Sequence, residues 1–236
     1  MPRRLNRDFR TRRQTRAAVW VAVWGVSAAS GVARPAAEAS PAARLDQYLR
    51  KFESSYSNVR SLRAQFTQSY DWGGRRRVES GTVAFARGGK MRWEYQEPKK
   101  KLVVSDGKQL WVYIPEEMQV TRASMKSSDD PRVPFPLLLS NFKLRKAFSR
   151  VEFADGASKV EPQDQVLRGL PRRGYEDEYR EVLIELTPGF DIRRLVVFSP
   201  DSSVMEFTFG RVQKNLSLDP GTFKFAPPEG AEIIDQ

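Results

Sequence analysis

Residues 81–113 read GTVAFARGGKMRWEYQEPKKKLVVSDGKQLWVY, and their apolar residues recur with a period of two. Val83 and Phe85 flank Ala84, and Met91, Trp93 and Tyr95 alternate with Arg92 and Glu94. Side chains two apart on a strand share a face, so each run reads as a strand with one apolar side. Gly88-Gly89 and Asp106-Gly107 stand between runs, where a tight turn needs residues that accept positive φ. The segments 102–105 and 110–114 then read as the two arms of a hairpin.

The same pattern extends in both directions. Toward the N-terminus, Leu62, Ala64 and Phe66 alternate with Arg63, Gln65 and Thr67, and Gly73-Gly74 supplies the next turn. Before them, Leu45, Tyr48, Leu49, Phe52 and Tyr56 fall at helical spacing and predict one amphipathic helix over 45–59. Toward the C-terminus, strands are expected at 119–123, 149–153, 166–170, 179–187, 192–199 and 204–209, with a last one near 222–225. Residues 134–140 (PFPLLLS) break the period and predict a short helix or an apolar loop. No internal repeat is visible. The expected fold is α+β but mostly β, a single large curved antiparallel sheet of about ten or eleven strands. Its concave side would be a wide apolar patch in water unless covered. The N-terminal helix and PFPLLLS are the candidate covers, and sheet plus lid predicts an apolar cavity.

Composition removes whole classes of function. The 236 residues contain no Cys and no His. Disulfides, thiol nucleophiles, Cys- or His-ligated zinc and imidazole acid–base chemistry are therefore excluded. Acidic pairs such as Glu116-Glu117 and Asp129-Asp130 fall in turns, where adjacent carboxylates are ordinarily solvated; no enzyme, metal or cofactor is expected. Lacking Cys, the chain cannot itself carry a lipoprotein acyl anchor. The formal net charge is +11, but residues 1–43 hold eight Arg against Asp8 and Glu38. Over half the excess lies there, so the basic balance is weak evidence for a nucleic-acid partner, and none is expected.

That N-terminus has the layout of a secretory signal: an Arg-rich start, the ten-residue apolar run AAVWVAVWGV over 17–26, then small residues. The run is well short of the roughly 20 residues that cross a bilayer. Residues 1–30 are expected to be a removable signal, with an uncleaved anchor as the alternative. Residues 31–43 read as an Ala/Pro-rich linker and 44–236 as one domain.

Five segments together resemble the outer-membrane lipoprotein carrier (LolA) family, in the family's order and spacing. They are LRAQFTQ (62–68), GTVAFARGGKMRW (81–93), VSDGKQLWVY (104–113), VPFPLLL (133–139) and FKFAPPEG (223–230). The resemblance implies an unclosed half β-barrel lidded by helices and working in the periplasm. It implies acylated lipoproteins as cargo, an inner-membrane ABC-type transporter that releases them, an outer-membrane receptor that accepts them, and a monomeric carrier. One departure is local: the family's Arg-Pro is Arg87-Gly88 here.

Individual residues carry two readings each. Val83, Phe85 and Arg87 lie at i, i+2 and i+4, so a guanidinium points toward the apolar side. Its five donors would suit the unpaired carbonyls at the end of a lid helix; otherwise it snorkels to water at the strand's end. The matching family residue is a lid latch, which makes Arg87 the latch candidate. Phe66, Val83, Phe85, Met91, Trp93, Leu102 and Val104 are candidate cavity lining, although ordinary core packing would account for any one of them. Met adapts to variable acyl chains. Phe135, Leu137, Leu138 and Leu139 are candidates for the lid's underside. Trp111 and Tyr113 share a face, but sequence does not say which. Arg75–Arg77 and Lys99–Lys101 read as solvated turns, or as docking charges for an anionic surface. A periplasmic carrier of free lipid or glycolipid is the main rival function. A lipid-sensing envelope-stress regulator on the same half-barrel would need a further partner-binding domain.

Overall fold

A helix begins inside the Ala/Pro-rich stretch. Pro41 lacks only an N–H that the first turn leaves unpaired, and the Ser40 hydroxyl accepts from the Ala43 N–H at 3.2 Å. α1 therefore spans Pro41–Ser57, starting four residues before the spacing predicts. A computed structural model describes residues 40–124 and 143–235, all within one compact unit.

Twelve strands follow. They are β1 (Ser61–Trp72), β2 (Arg75–Ala86), β3 (Lys90–Glu97), β4 (Lys101–Asp106), β5 (Gln109–Ile114) and β6 (Gln119–Ser124), then β7 (Arg150–Phe153), β8 (Gln165–Leu170), β9 (Glu181–Leu186), β10 (Ile192–Phe198), β11 (Val204–Lys214) and β12 (Glu232–Asp235). A single turn of helix, α2 (Leu144–Ala147), precedes β7. All strands lie in one sheet of order β12-β6-β5-β4-β3-β2-β1-β11-β10-β9-β8-β7. The two ends of that order do not meet, so the sheet is an unclosed curve. Within β1–β6 and within β7–β11 consecutive strands pair antiparallel, as the sequence predicts. The central pair, β1 with β11, joins Leu62 to Lys214 and could not be read locally.

Several expectations need correction. The strand expected near Thr222–Phe225 is absent; Pro220–Phe223 forms one 3-10 turn, started by the Asp219 carboxylate accepting from the Gly221 N–H. The last strand is β12, which pairs with β6 in parallel, whereas every other described pairing is antiparallel. A parallel edge needs a crossover, and residues 215–231 supply it. Asn215 and Leu216 bond to Arg60 and Ser61, Thr222 accepts from Arg92, and Phe225 packs on Trp111 and Tyr113. Arg75–Arg77 are not a turn but the first residues of β2. Lys101 is not solvated; it opens β4 half-buried, ion-paired with Glu79.

Two glycines are required by the local geometry. A side chain at Gly81 would meet the Glu94 carbonyl oxygen at 1.9 Å, where β3 bulges against β2. Gly88, in place of the family's proline, adopts φ +82°, which a proline ring forbids.

Candidate functional site

Register assigns the faces, because directly opposed residues point to the same side. Val83 lies between Ala64 and Trp93, Phe85 between Leu62 and Met91, and Phe66 between Gly81 and Phe209. The register therefore brings Phe66, Val83, Phe85, Met91 and Trp93 together on one face, all buried. Trp93 is its hub, edge-on to Phe66 at 4.9 Å and to Phe85 at 5.4 Å, with Phe207 at 5.5 Å. Leu49, Phe52 and Tyr56 of α1 belong to the same cluster, so α1 lies over this inner face. The helical spacing of those residues is what makes the cover: one stripe of α1 has nowhere else to go.

The register overturns two assignments. Trp93 opposes Val103, and Arg92 opposes Val104. Val103 is thus on the inner face, whereas Leu102 and Val104 point outward. There they share a side with Trp111 and Tyr113, opposite them on β5, and with Phe225 of the C-terminal crossover. The run LVVSD is apolar on both sides, so its alternation carries no face information, and a one-residue shift exchanges the faces. Sequence reasoning also missed Met205, Phe207 and Phe209, which β1 pairing places on the inner face. Their alternation with Glu206 and Thr208 was a usable signal.

The wall is not uniformly covered. Beneath α1 it is fully buried, but Val103, Leu110, Met205 and Phe207 are only half-buried. Phe135, Leu137, Leu138 and Leu139, expected as the lid's underside, lie outside the described residues. On the outer face, a cleft of about 340 Å³ is lined by Arg63, Thr82, Arg92, Glu94 and Thr222.

Arg87 follows the last residue of β2. Its Nε donates to the Val59 carbonyl at 3.0 Å and its Nη2 to the Ser57 carbonyl. Ser57 is the last residue of α1, whose final carbonyls have no partner within the helix. The cation also lies at the negative end of the helix dipole. Thus Arg87 ties the end of the covering helix to the sheet. Farther along α1, the Tyr56 hydroxyl accepts from the Ile192 N–H at 3.3 Å, and burial pushes its ionisation up. Burial and the Glu79 carboxylate push Tyr95 up likewise. Both rings stay neutral, Tyr56 on the cover and Tyr95 on the wall.

An apolar wall inside an unclosed sheet, covered by a helix whose end Arg87 bonds, is a lidded half-barrel. Comparison with known proteins agrees. Residues 57–226 match the family model for the outer membrane lipoprotein carrier protein LolA. An outer-membrane lipoprotein carrier protein of Chromobacterium violaceum is 33% identical over 87% of this chain and 92% of its own length. That of Dechloromonas aromatica is 32% identical over 76% of this chain and 83% of its own. The crystal structure of an uncharacterized conserved protein from Thermus thermophilus superposes with a TM-score of 0.52 at 11% identity, over 82% of this chain and 99% of that one, and shares the fold. The chain belongs to the outer-membrane lipoprotein carrier (LolA) family.

Proposed function

We propose that this protein is a periplasmic carrier that takes the acyl chains of lipoproteins released from the inner membrane and delivers them to the outer membrane. The observation that carries the reading is the inner wall of Phe66, Val83, Phe85, Met91, Trp93 and Phe209, buried under a helix whose end Arg87 bonds. Each buried CH₂ contributes roughly 0.8 kcal/mol, so a lipoprotein with two or three chains leaves a membrane only if something shields them. Shielding must also be reversible, because no nucleotide drives the second step in the periplasm. Here α1 supplies the reversal. In the empty protein Leu49, Phe52 and Tyr56 occupy the wall, and Arg87 closes the helix end. Chains that enter displace those contacts and break the Arg87 bonds; their departure restores both. Bound cargo is thereby held less tightly than the wall's area alone would give, which favours hand-over.

The family reading extends to an ABC-type transporter as donor and an outer-membrane receptor as acceptor. Residues 1–30 act as the export signal, and carriage requires no catalysis, cofactor or metal. The described residues contain no helix long and apolar enough to cross a membrane.

A release assay tests this. Inner-membrane vesicles holding the transporter and a labelled lipoprotein receive ATP and residues 31–236, which keep the Ser40 cap. The expected result is a soluble one-to-one complex of carrier and lipoprotein. If a known carrier releases cargo from the same vesicles and this chain does not, the reading fails. Free lipid co-purifying with the protein, identified by mass spectrometry, would then favour the free-lipid carrier.

A further inference from the structure

The inner wall changes character along β2. From the helix end outward, its inner-facing residues are Phe85, Val83, Gly81, Glu79 and Arg77. Glu79 is only 6% exposed, although it sits on the face that holds the apolar core. Its carboxylate accepts from Arg77 at 2.7 Å and from Lys101 at 3.2 Å on each oxygen. The Lys101 ammonium stands 3.8 Å over the Tyr95 ring, and the Tyr95 hydroxyl donates to Gln68 Oε1 at 2.8 Å. Gln68 lies directly opposite Glu79, and its amide nitrogen meets a weak acceptor, the Met205 thioether at 3.4 Å.

A wall built only for alkyl chains has no use for this cluster. Burying the Glu79 carboxylate is costly unless it is paired, and an apolar residue in its place would be at least as stable. The cluster also has donors to spare. Two of the three Lys101 N–H groups suffice for Glu79, and among the described residues the Gln68 amide nitrogen meets no acceptor stronger than the thioether. Surplus donors at the polar end of an apolar wall match a ligand with alkyl chains at one end and carbonyl acceptors at the other. Glu79 already takes up the charge of Lys101 and Arg77, so the donors left over suit neutral carbonyl acceptors.

We propose that Gln68, Glu79, Lys101 and Tyr95 form a head-group site for the ester carbonyls of a diacylglyceryl-modified cysteine, with its chains running from there toward Trp93 and Phe66. This rests on the carrier reading and adds an orientation to it. The Lys101 ammonium and the Gln68 amide donate to the ester oxygens. Glu79 is a positioning residue that holds Lys101 over the Tyr95 ring.

The test compares two fluorescent probes with the same peptide and the same chain length. One is an S-dipalmitoylglyceryl-cysteinyl peptide; the other has ether linkages in place of both esters. The protein is expected to bind the ester probe about tenfold more tightly, the worth of one or two hydrogen bonds. Gln68→Leu, and separately the double variant Glu79→Gln with Lys101→Met, should each cut the preference to about threefold while ether binding is retained. The double change leaves no buried charge alone, and Gln68→Leu gives an independent reading if the double variant unfolds. Equal affinity of the unaltered protein for both probes overturns the site, as does an ester preference undiminished by Gln68→Leu. Failure of the unaltered protein to bind either probe overturns the carrier reading itself.

Discussion

Arg87 joins a local pattern to a long-range contact. Its i, i+2, i+4 relation to Val83 and Phe85 places it on the inner side of β2, and the structure puts its donors on the Ser57 and Val59 carbonyls. That relation is local and legible; the identity of the helix end is not, because α1 reaches Arg87 only through the fold. Arg87→Leu removes the fastening but keeps the wall. It is expected to capture acylated cargo as well as the unaltered protein and to pass it to a receptor several-fold more slowly, measured as transfer to receptor-loaded liposomes. Equal transfer rates would remove Arg87 from the release step. The tyrosines give a prediction in pH. Burial, and next the Asp164 carboxylate, push Tyr48 up to about 12, and burial also raises Tyr56 and Tyr95. The folded state thus holds these phenols neutral. Their stabilisation is complete below pH 10 and is lost as pH rises toward 12 and beyond. Urea unfolding at pH 8 and pH 11 should show the loss. Tyr56→Phe should flatten its share of it, while losing about 1–3 kcal/mol at pH 8 because the Ile192 N–H is left without an acceptor.

Among the elements, the C-terminal crossover separates the two faces of the sheet. Phe225 packs 6.3 Å from Trp111 and 5.9 Å from Tyr113, on the side away from Trp93. Phe225→Ala is expected to cost about 1–2 kcal/mol, below the range for a fully buried Phe since this ring is half-buried. Lipopeptide affinity should not change. A loss of affinity at unchanged stability would place the outer face in the site. By contrast Gly81→Ala strikes the β2–β3 pairing itself. Its new methyl meets a backbone carbonyl, which cannot swing aside as a side chain would. The strands must shift, at a cost of about 2 kcal/mol or more, read as a lowered urea midpoint. Both effects depend on register. Turn residues told where strands end, but a strand apolar on both sides, such as β4, could be turned either way until its neighbours were known.

For the molecule as a whole, two strands far apart in sequence join the halves of the sheet. β1 pairs with β11, so residues 61–72 must find residues 204–214 before the core is complete. Such distant pairing makes folding slow, on the order of milliseconds to seconds for sheets of this kind. A chain ending at Ser203 retains ten of the twelve strands but loses the one between β1 and β10. It is expected to lack a cooperative unfolding transition by circular dichroism, whereas removal of residues 232–236 takes away only an edge strand and should leave one. A cooperative transition in the shorter chain would show that the two halves of the sheet fold separately.

By itself, then, the sequence determined the class of fold, the amphipathic helix, most strand positions, the absence of thiol and imidazole chemistry, and the family. All of these follow from local periodicity, turn residues, composition or motif order. Only the tertiary structure decided which face Leu102, Val104, Trp111 and Tyr113 occupy, that the final strand runs parallel to β6, that Arg75–Arg77 and Lys101 belong to strands, and which carbonyls Arg87 reaches. Those outcomes depend on register between strands and on a crossover that spans the sheet. Alternation along one strand is blind to both, because it carries the same signal whichever partner lies beside it.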